Sequence, residues 1–149
     1  MARRVYFDVC ALNRPLDDQS QARIRLETEA IEHLLRAVAS GQLEWISSEI
    51  VLFEVMRCPD HDRRTVLQMI CRAATGRATL SGQSIARARH LRSQGLRDMD
   101  ALHLAVAESA AVEVLLTTDD GFIRAARNLR PPSAVRVENP VLFGAEVIE

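Results

Sequence analysis

Short apolar runs separated by longer amphipathic stretches recur along the whole chain, and this alternation constrains its fold more than any other feature. Val5, Tyr6 and Phe7 form a β-rich run leading into Asp8, and the Asn13, Pro15, Asp17, Asp18 cluster that follows has loop chemistry, so the first strand should end near Asp8. From about Ser20 to Ser40, Ile24, Ile31, Leu34, Leu35 and Val38 recur at helical spacing, and Gly41 stands where a C-terminal cap belongs. Leu43 to Ile46 reads as a second strand. It feeds a helix that Ser47 or Ser48 can cap and that Pro59 stops after Cys58.

Asp60 can cap a third helix with Leu67, Ile70, Cys71 and Ala74 on one face, and Thr79 and Leu80 suit a brief extended segment. Ile85 to Gln94 reads as helix, stopped by Gly95. Asp98 opens another, with Leu102, Ala105, Val106 and Ser109 on one stripe. Val114 to Thr117 has the pattern of a buried strand, residues 121–130 are helical up to Pro131 and Pro132, and Val135 to Glu138 makes a last strand with an irregular continuation through Val141 to Phe143. Strands alternating with helices predict an α/β domain with a mainly parallel sheet, whose chemistry collects at the carboxyl ends of the strands.

Length and composition fit one domain over 1–149: 149 residues, 48% hydrophobic and 26% charged, with no repeat, low-complexity tract or interior linker. No apolar run approaches the roughly 20 residues that span a bilayer, and Met1 to Val5 has no signal-peptide core, so a cytoplasmic protein is expected. Cys10, Cys58 and Cys71 are odd in number and form no CxxC pair, which points to reduced thiols rather than a disulfide framework or zinc ribbon. All 19 basic residues are arginine. The lack of lysine excludes Walker A phosphate binding, Schiff-base chemistry and lysine-dependent aspartyl-phosphate folds, phosphate-accepting receivers among them. A net charge of −1 supplies no overall pull on nucleic acid, so any such binding must come from local patches.

Four acids from distant positions fall at strand ends or helix starts: Asp8, Glu54, Asp100 and Asp119. Singly, each has a plain structural role as a turn former, a helix cap or a solvated face. Together they would repel and raise one another's pKa unless a hard cation joined them, and oxygen ligands favour Mg²⁺ or Mn²⁺ over zinc. Such an ion would lower the pKa of a coordinated water and neutralise charge on a phosphodiester transition state.

The strings YFDVCALNRPLDD, ISSEIVLFEV, RDMDALHLAVA and LLTTDDGF resemble, in order, the four acidic motifs of PIN domains, including the VapC-like ribonuclease toxins, over nearly the whole chain. The resemblance implies a three-layer PIN-like α/β domain with a central mainly parallel sheet flanked by helices. It maps the family's acids to Asp8, to Glu54 six residues after Ser48, to Asp100 with Asp98 as an upstream auxiliary, and to Asp119 after Thr117, with Asp120 as an outer-shell acid. It further implies an Mg²⁺- or Mn²⁺-dependent endoribonuclease leaving 5′-phosphate and 3′-hydroxyl ends, a homodimer, and a cognate antitoxin inserted near the metal site.

The chain departs from the pattern at Val9 and Cys10, where many relatives carry Thr and Asn, which leaves open what positions Asp8. It departs again at His103, which is either a ligand or proton donor, or a packed or interface histidine. Arg14 and the stripe Arg124, Arg127, Arg130 are candidate RNA contacts, the alternative for the stripe being a solvated face. Aromatics total only 4%, which favours shape or backbone reading of RNA over base stacking. The competing readings are a catalytically silent or RNA-processing PIN domain acting as an RNA- or protein-binding module, and a flap-type DNA nuclease, for whose helical arch the chain is short.

Overall fold

A computed structural model describes residues 2–147. Five strands, β1 (Arg3–Phe7), β2 (Leu43–Ser48), β3 (Gly76–Ala78), β4 (Val114–Leu116) and β5 (Arg136–Glu138), form one sheet in the order β3-β2-β1-β4-β5, every pair parallel. In register, Val5 of β1 lies between Trp45 of β2 and Val114 of β4. Parallel strands covered on both faces need apolar residues on both, and Val5, Tyr6, Phe7, Val114, Leu115 and Leu116 are all fully buried. Phe7 meets Trp45 edge to face at 5.2 Å between ring centroids.

The helices are α1 (Val9–Asn13), α2 (Ala22–Ala39), α3 (Glu49–Met56), α4 (His61–Cys71), α5 (Gly82–Ser93), α6 (Asp98–Ser109), α7 (Asp120–Arg127) and α8 (Pro140–Gly144). They flank the sheet to give the three-layer α/β architecture. Because a β-to-β crossover is right-handed, a chain that winds from β1 outward to β3 and then returns to the other side of β1 must change faces between β3 and β4. That reversal opens a crevice at the carboxyl ends of β1 and β4.

In α2, Ile24, Ile31, Leu34, Ala37 and Val38 are buried at helical spacing, and Gly41, at φ +82°, turns the chain into β2. Among the described residues no helix is long and apolar enough to cross a membrane.

Three sequence expectations are corrected. Of the cluster expected as loop, Asn13 ends α1, which Asp8 caps, and Pro15 lies in the 3-10 turn Arg14–Leu16, where its missing N–H costs nothing, while Asp17 and Asp18 are loop. The extended segment assigned to Thr79 and Leu80 lies earlier, at Gly76–Ala78, where it pairs with β2. The irregular strand expected at Val141 to Phe143 is helix α8, which the Asn139 side chain caps by accepting from Val141 N, with Pro140 at the first helical position.

Candidate functional site

Asp8 ends β1 and caps α1. Its Oδ1 accepts from Val9 N at 2.8 Å, while its Oδ2 accepts from Thr117 Oγ1 at 2.8 Å and from Cys10 Sγ at 3.2 Å. Burial, then the charge on Asp8, pushes the Cys10 thiol up to about 12, so it stays protonated and able to donate. Cys10 and Thr117, with the Val9 N–H, are thus the groups that orient Asp8. Thr117 also accepts from Asp119 N at 3.2 Å, so one hydroxyl ties together the carboxyl ends of β1 and β4.

Asp119 caps α7 through Oδ1, which accepts from Phe122 N at 3.1 Å, and this leaves Oδ2 to Arg97. Burial works against its charge, but the Phe122 N–H and the Arg97 guanidinium outweigh burial and hold its carboxyl below the usual range. Asp100, in the first turn of α6, accepts from Arg97 Nε at 3.1 Å. Its carboxyl nonetheless rises to about 6, through burial first, then the charges of Asp8 and Asp119.

Glu54 lies on α3, whose N-cap is Ser48, the hydroxyl accepting from Val51 N at 3.2 Å. The Glu54 carboxylate is hydrogen-bonded to Nε2 of His103. His103 is buried on α6, with Nδ1 2.6 Å from the Tyr6 hydroxyl, itself 2.6 Å from Ser48 Oγ. Ser48, Tyr6 and His103 therefore form a buried hydrogen-bonded chain that ends on the half-buried Glu54. Burial alone would lower the His103 pKa, but the bond to Glu54 and the charges of Asp8, Glu54 and Asp100 raise it overall.

One open cavity of about 730 Å³ has Asp8, Glu54, Asp98, Asp100, His103 and Asp119 in its walls. Within it, ligand atoms of Asp8, Glu54 and His103 lie within 4.8 Å of one another, close enough to share an ion. That tight group contains His103 rather than Asp100 or Asp119, which Arg97 spans. The donor set suits a hard divalent cation: carboxylate oxygens with one imidazole, and a carboxyl at Asp100 raised by burial and then by its acidic neighbours. His103 already uses both ring nitrogens, so its Nε2 would have to release Glu54 before binding a metal.

The other candidates lie elsewhere or do other work. Asp98 is exposed at the rim and pairs with Arg92 at 2.9 Å. Asp120 faces away, paired with Arg23 at 2.9 Å. Arg14 is bound to Glu27 at 2.8 Å and Asp17 at 3.3 Å. Arg124 and Arg127 border a separate cavity that also includes Asp120 and Glu138. Sequence reasoning passed over Arg97, the arginine on the wall of the acidic cavity, because its partner Asp119 is 22 residues away. The signal available was its place one residue before a double acid at a helix start.

An open parallel sheet with carboxylates gathered at its topological switch point defines the class: a three-layer α/β domain with an acidic pocket. A model of the PIN domain family matches residues 5–128, and the chain belongs to that family.

No curated protein matches the chain. Among solved structures, it is similar to a chain of VapBC2 from Rickettsia felis, bound to a DNA fragment from the promoter, at 12% identity and TM-score 0.61, covering 91% of this chain and 98% of that one. It is also similar to PAE2754 from Pyrobaculum aerophilum, at 17% identity and TM-score 0.52, covering 99% and 100%. At such identities the likeness is one of fold.

Proposed function

We propose that this PIN domain, taken as one unit over 1–149, is an Mg²⁺- or Mn²⁺-dependent endoribonuclease, the toxin of a type II toxin–antitoxin pair. The observation that carries the reading is the convergence of Asp8, Glu54, Asp100 and Asp119 on one cavity, with Asp100 driven up to about 6 by burial and by its acidic neighbours. Carboxylates this crowded favour a bound divalent cation.

In this reading Asp8, Glu54, Asp100 and Asp119 would hold one or two ions, which would lower the pKa of a bound water and neutralise charge on the scissile phosphate. The chain's own contribution is preorganisation. Thr117, Cys10 and Val9 N fix both oxygens of Asp8, and His103, held by Tyr6 and through it Ser48, fixes Glu54. The RNA substrate, the homodimer and the antitoxin partner follow from family resemblance, with the VapBC2 fold likeness as support.

The silent-domain alternative has one observation in its favour: each half of the acidic set already has an internal partner, His103 for Glu54 and Arg97 for Asp100 and Asp119. Cleavage-site mapping on total RNA separates the two. Wild type with Mn²⁺ should yield discrete cuts with 5′-phosphate ends, and Asp8→Ala none. Expression of wild type alone should arrest growth where Asp100→Asn does not. Intact RNA with folded protein and Mn²⁺ would favour the binding module.

A further inference from the structure

The Arg97 guanidinium bonds Asp100 Oδ2 through Nε at 3.1 Å and Asp119 Oδ2 through Nη2, so it bridges two of the four acids. Its position is electrostatically odd. Arg97 is the N-cap residue of α6, makes no side-chain capping bond, and puts a cation at the helix end that favours anions. Its side chain is 65% exposed, so packing does not hold it there; the two carboxylates do. Gly121 keeps the space open. A Cβ at that position would lie 3.1 Å from Asp119 Oδ1 and 3.7 Å from Arg97 Nη2.

The geometry points to Arg97 as a built-in stand-in for the divalent ion, which the ion displaces from Asp100 and Asp119 and which then binds the substrate's phosphate backbone. This rests on the pocket being a divalent-ion nuclease site. Once a divalent ion neutralises the acids, both the ion and the positive end of α6 repel the guanidinium, and its exposed side chain is free to turn out toward the cavity mouth. A phosphodiester arriving there offers paired oxygens that a planar guanidinium fits in a fork. No other arginine lines this cavity among the described residues.

Two consequences distinguish this role from a plain surface ion pair. Arg97 competes with the metal, and it assists the substrate. The test measures Mn²⁺ affinity by electron paramagnetic resonance of free Mn²⁺, together with steady-state cleavage of an RNA substrate, for the full chain as wild type, Arg97→Ala and Asp100→Asn. Removing the competitor should tighten Mn²⁺ binding by Arg97→Ala while raising KM or lowering kcat by roughly tenfold, the size of a lost charge-assisted hydrogen bond. Asp100→Asn should weaken Mn²⁺ binding.

Unchanged or weaker Mn²⁺ binding by Arg97→Ala, alongside normal loss in Asp100→Asn, overturns the stand-in role and leaves the nuclease reading intact. Tighter Mn²⁺ binding with unchanged cleavage overturns the phosphate role. Failure of wild type to bind Mn²⁺ overturns the nuclease reading and this inference with it.

Discussion

The Tyr6 hydroxyl lies 2.6 Å from Nδ1 of His103, joining the middle of β1 to α6 beneath the acidic cavity. Both residues are buried, and the same hydroxyl is 2.6 Å from Ser48 Oγ. Tyr6→Phe therefore removes the shared partner of two buried polar atoms. It should cost about 1–3 kcal/mol in urea unfolding, the penalty for leaving such groups unsatisfied, and should reduce cleavage by loosening Glu54. Ser48→Ala in the same background should cost less than it does in wild type, because the pair is coupled. Additive losses would show that the hydrogen-bonded chain does not act as a unit.

Thr117 holds Asp8 Oδ2 at 2.8 Å and is fully buried. Thr117→Val preserves shape and deletes the donor. A lost hydrogen bond to a charged group costs about 1.5–3 kcal/mol. The variant should unfold at correspondingly lower urea and cleave RNA more slowly through kcat, with KM little changed, because Thr117 acts through Asp8 rather than on substrate. Stability equal to wild type would contradict the assigned contact.

The raised Asp100 carboxyl makes a signed pH prediction for the metal-free protein. Its pKa moves from 3.8 unfolded to about 6 folded, through burial first and then Asp8 and Asp119, so the folded state favours the protonated form. Between those values the folded protein binds more protons than the unfolded one. Stability should then fall as pH rises from about 4 to about 6, by on the order of 2–3 kcal/mol. The His103 pKa is also raised, from 6.5, so its contribution is lost only at higher pH, above this window. Urea midpoints of chelator-treated protein from about pH 4 to about pH 6 should show the decline in wild type and not in Asp100→Asn. Mn²⁺ should offset it by binding the ionised form.

Away from the cavity, Glu27 is buried on α2, accepting from Arg14 Nε at 2.8 Å, Arg23 Nε at 3.2 Å and Asn139 Nδ2 at 2.6 Å. It ties the turn after α1 to the start of α8. Removing one partner of a buried charged network costs about 3–5 kcal/mol. Glu27→Ala should lose that much in urea unfolding, and a loss under 1 kcal/mol would show that the network carries little.

What could be read from the residues, and what could not, divides along local and tertiary lines. Asp8, Asp60 and Asp119 were readable as turn or cap residues, because capping depends on an oxygen and the next few N–H groups. Asp8, Asp100 and Asp119 were readable through their places at a strand end or a helix start, whereas Glu54 lies near the end of α3 and not at a helix start. Arg14 was read toward RNA, yet its side chain turns to Glu27, on α2, a buried acid that looks like an ordinary helix-face residue in the sequence. Helix α8 was misread because Val141 to Phe143 is too short an apolar run to carry a period, although Asn139-Pro140 is a helix-start pair. Arg97 and Tyr6 took their roles from partners 22 and 97 residues away, a distance that no local pattern reports.

Anomalous diffraction from crystals soaked in Mn²⁺ tests the metal site most directly. A peak about 2 Å from carboxylate oxygens of Asp8, Glu54, Asp100 or Asp119, the spacing of a small hard cation, is the expected result, with Arg97 turned out of the cavity. A fully folded protein whose cavity stays without a peak at saturating Mn²⁺, Arg97 still bridging Asp100 and Asp119, would contradict the account.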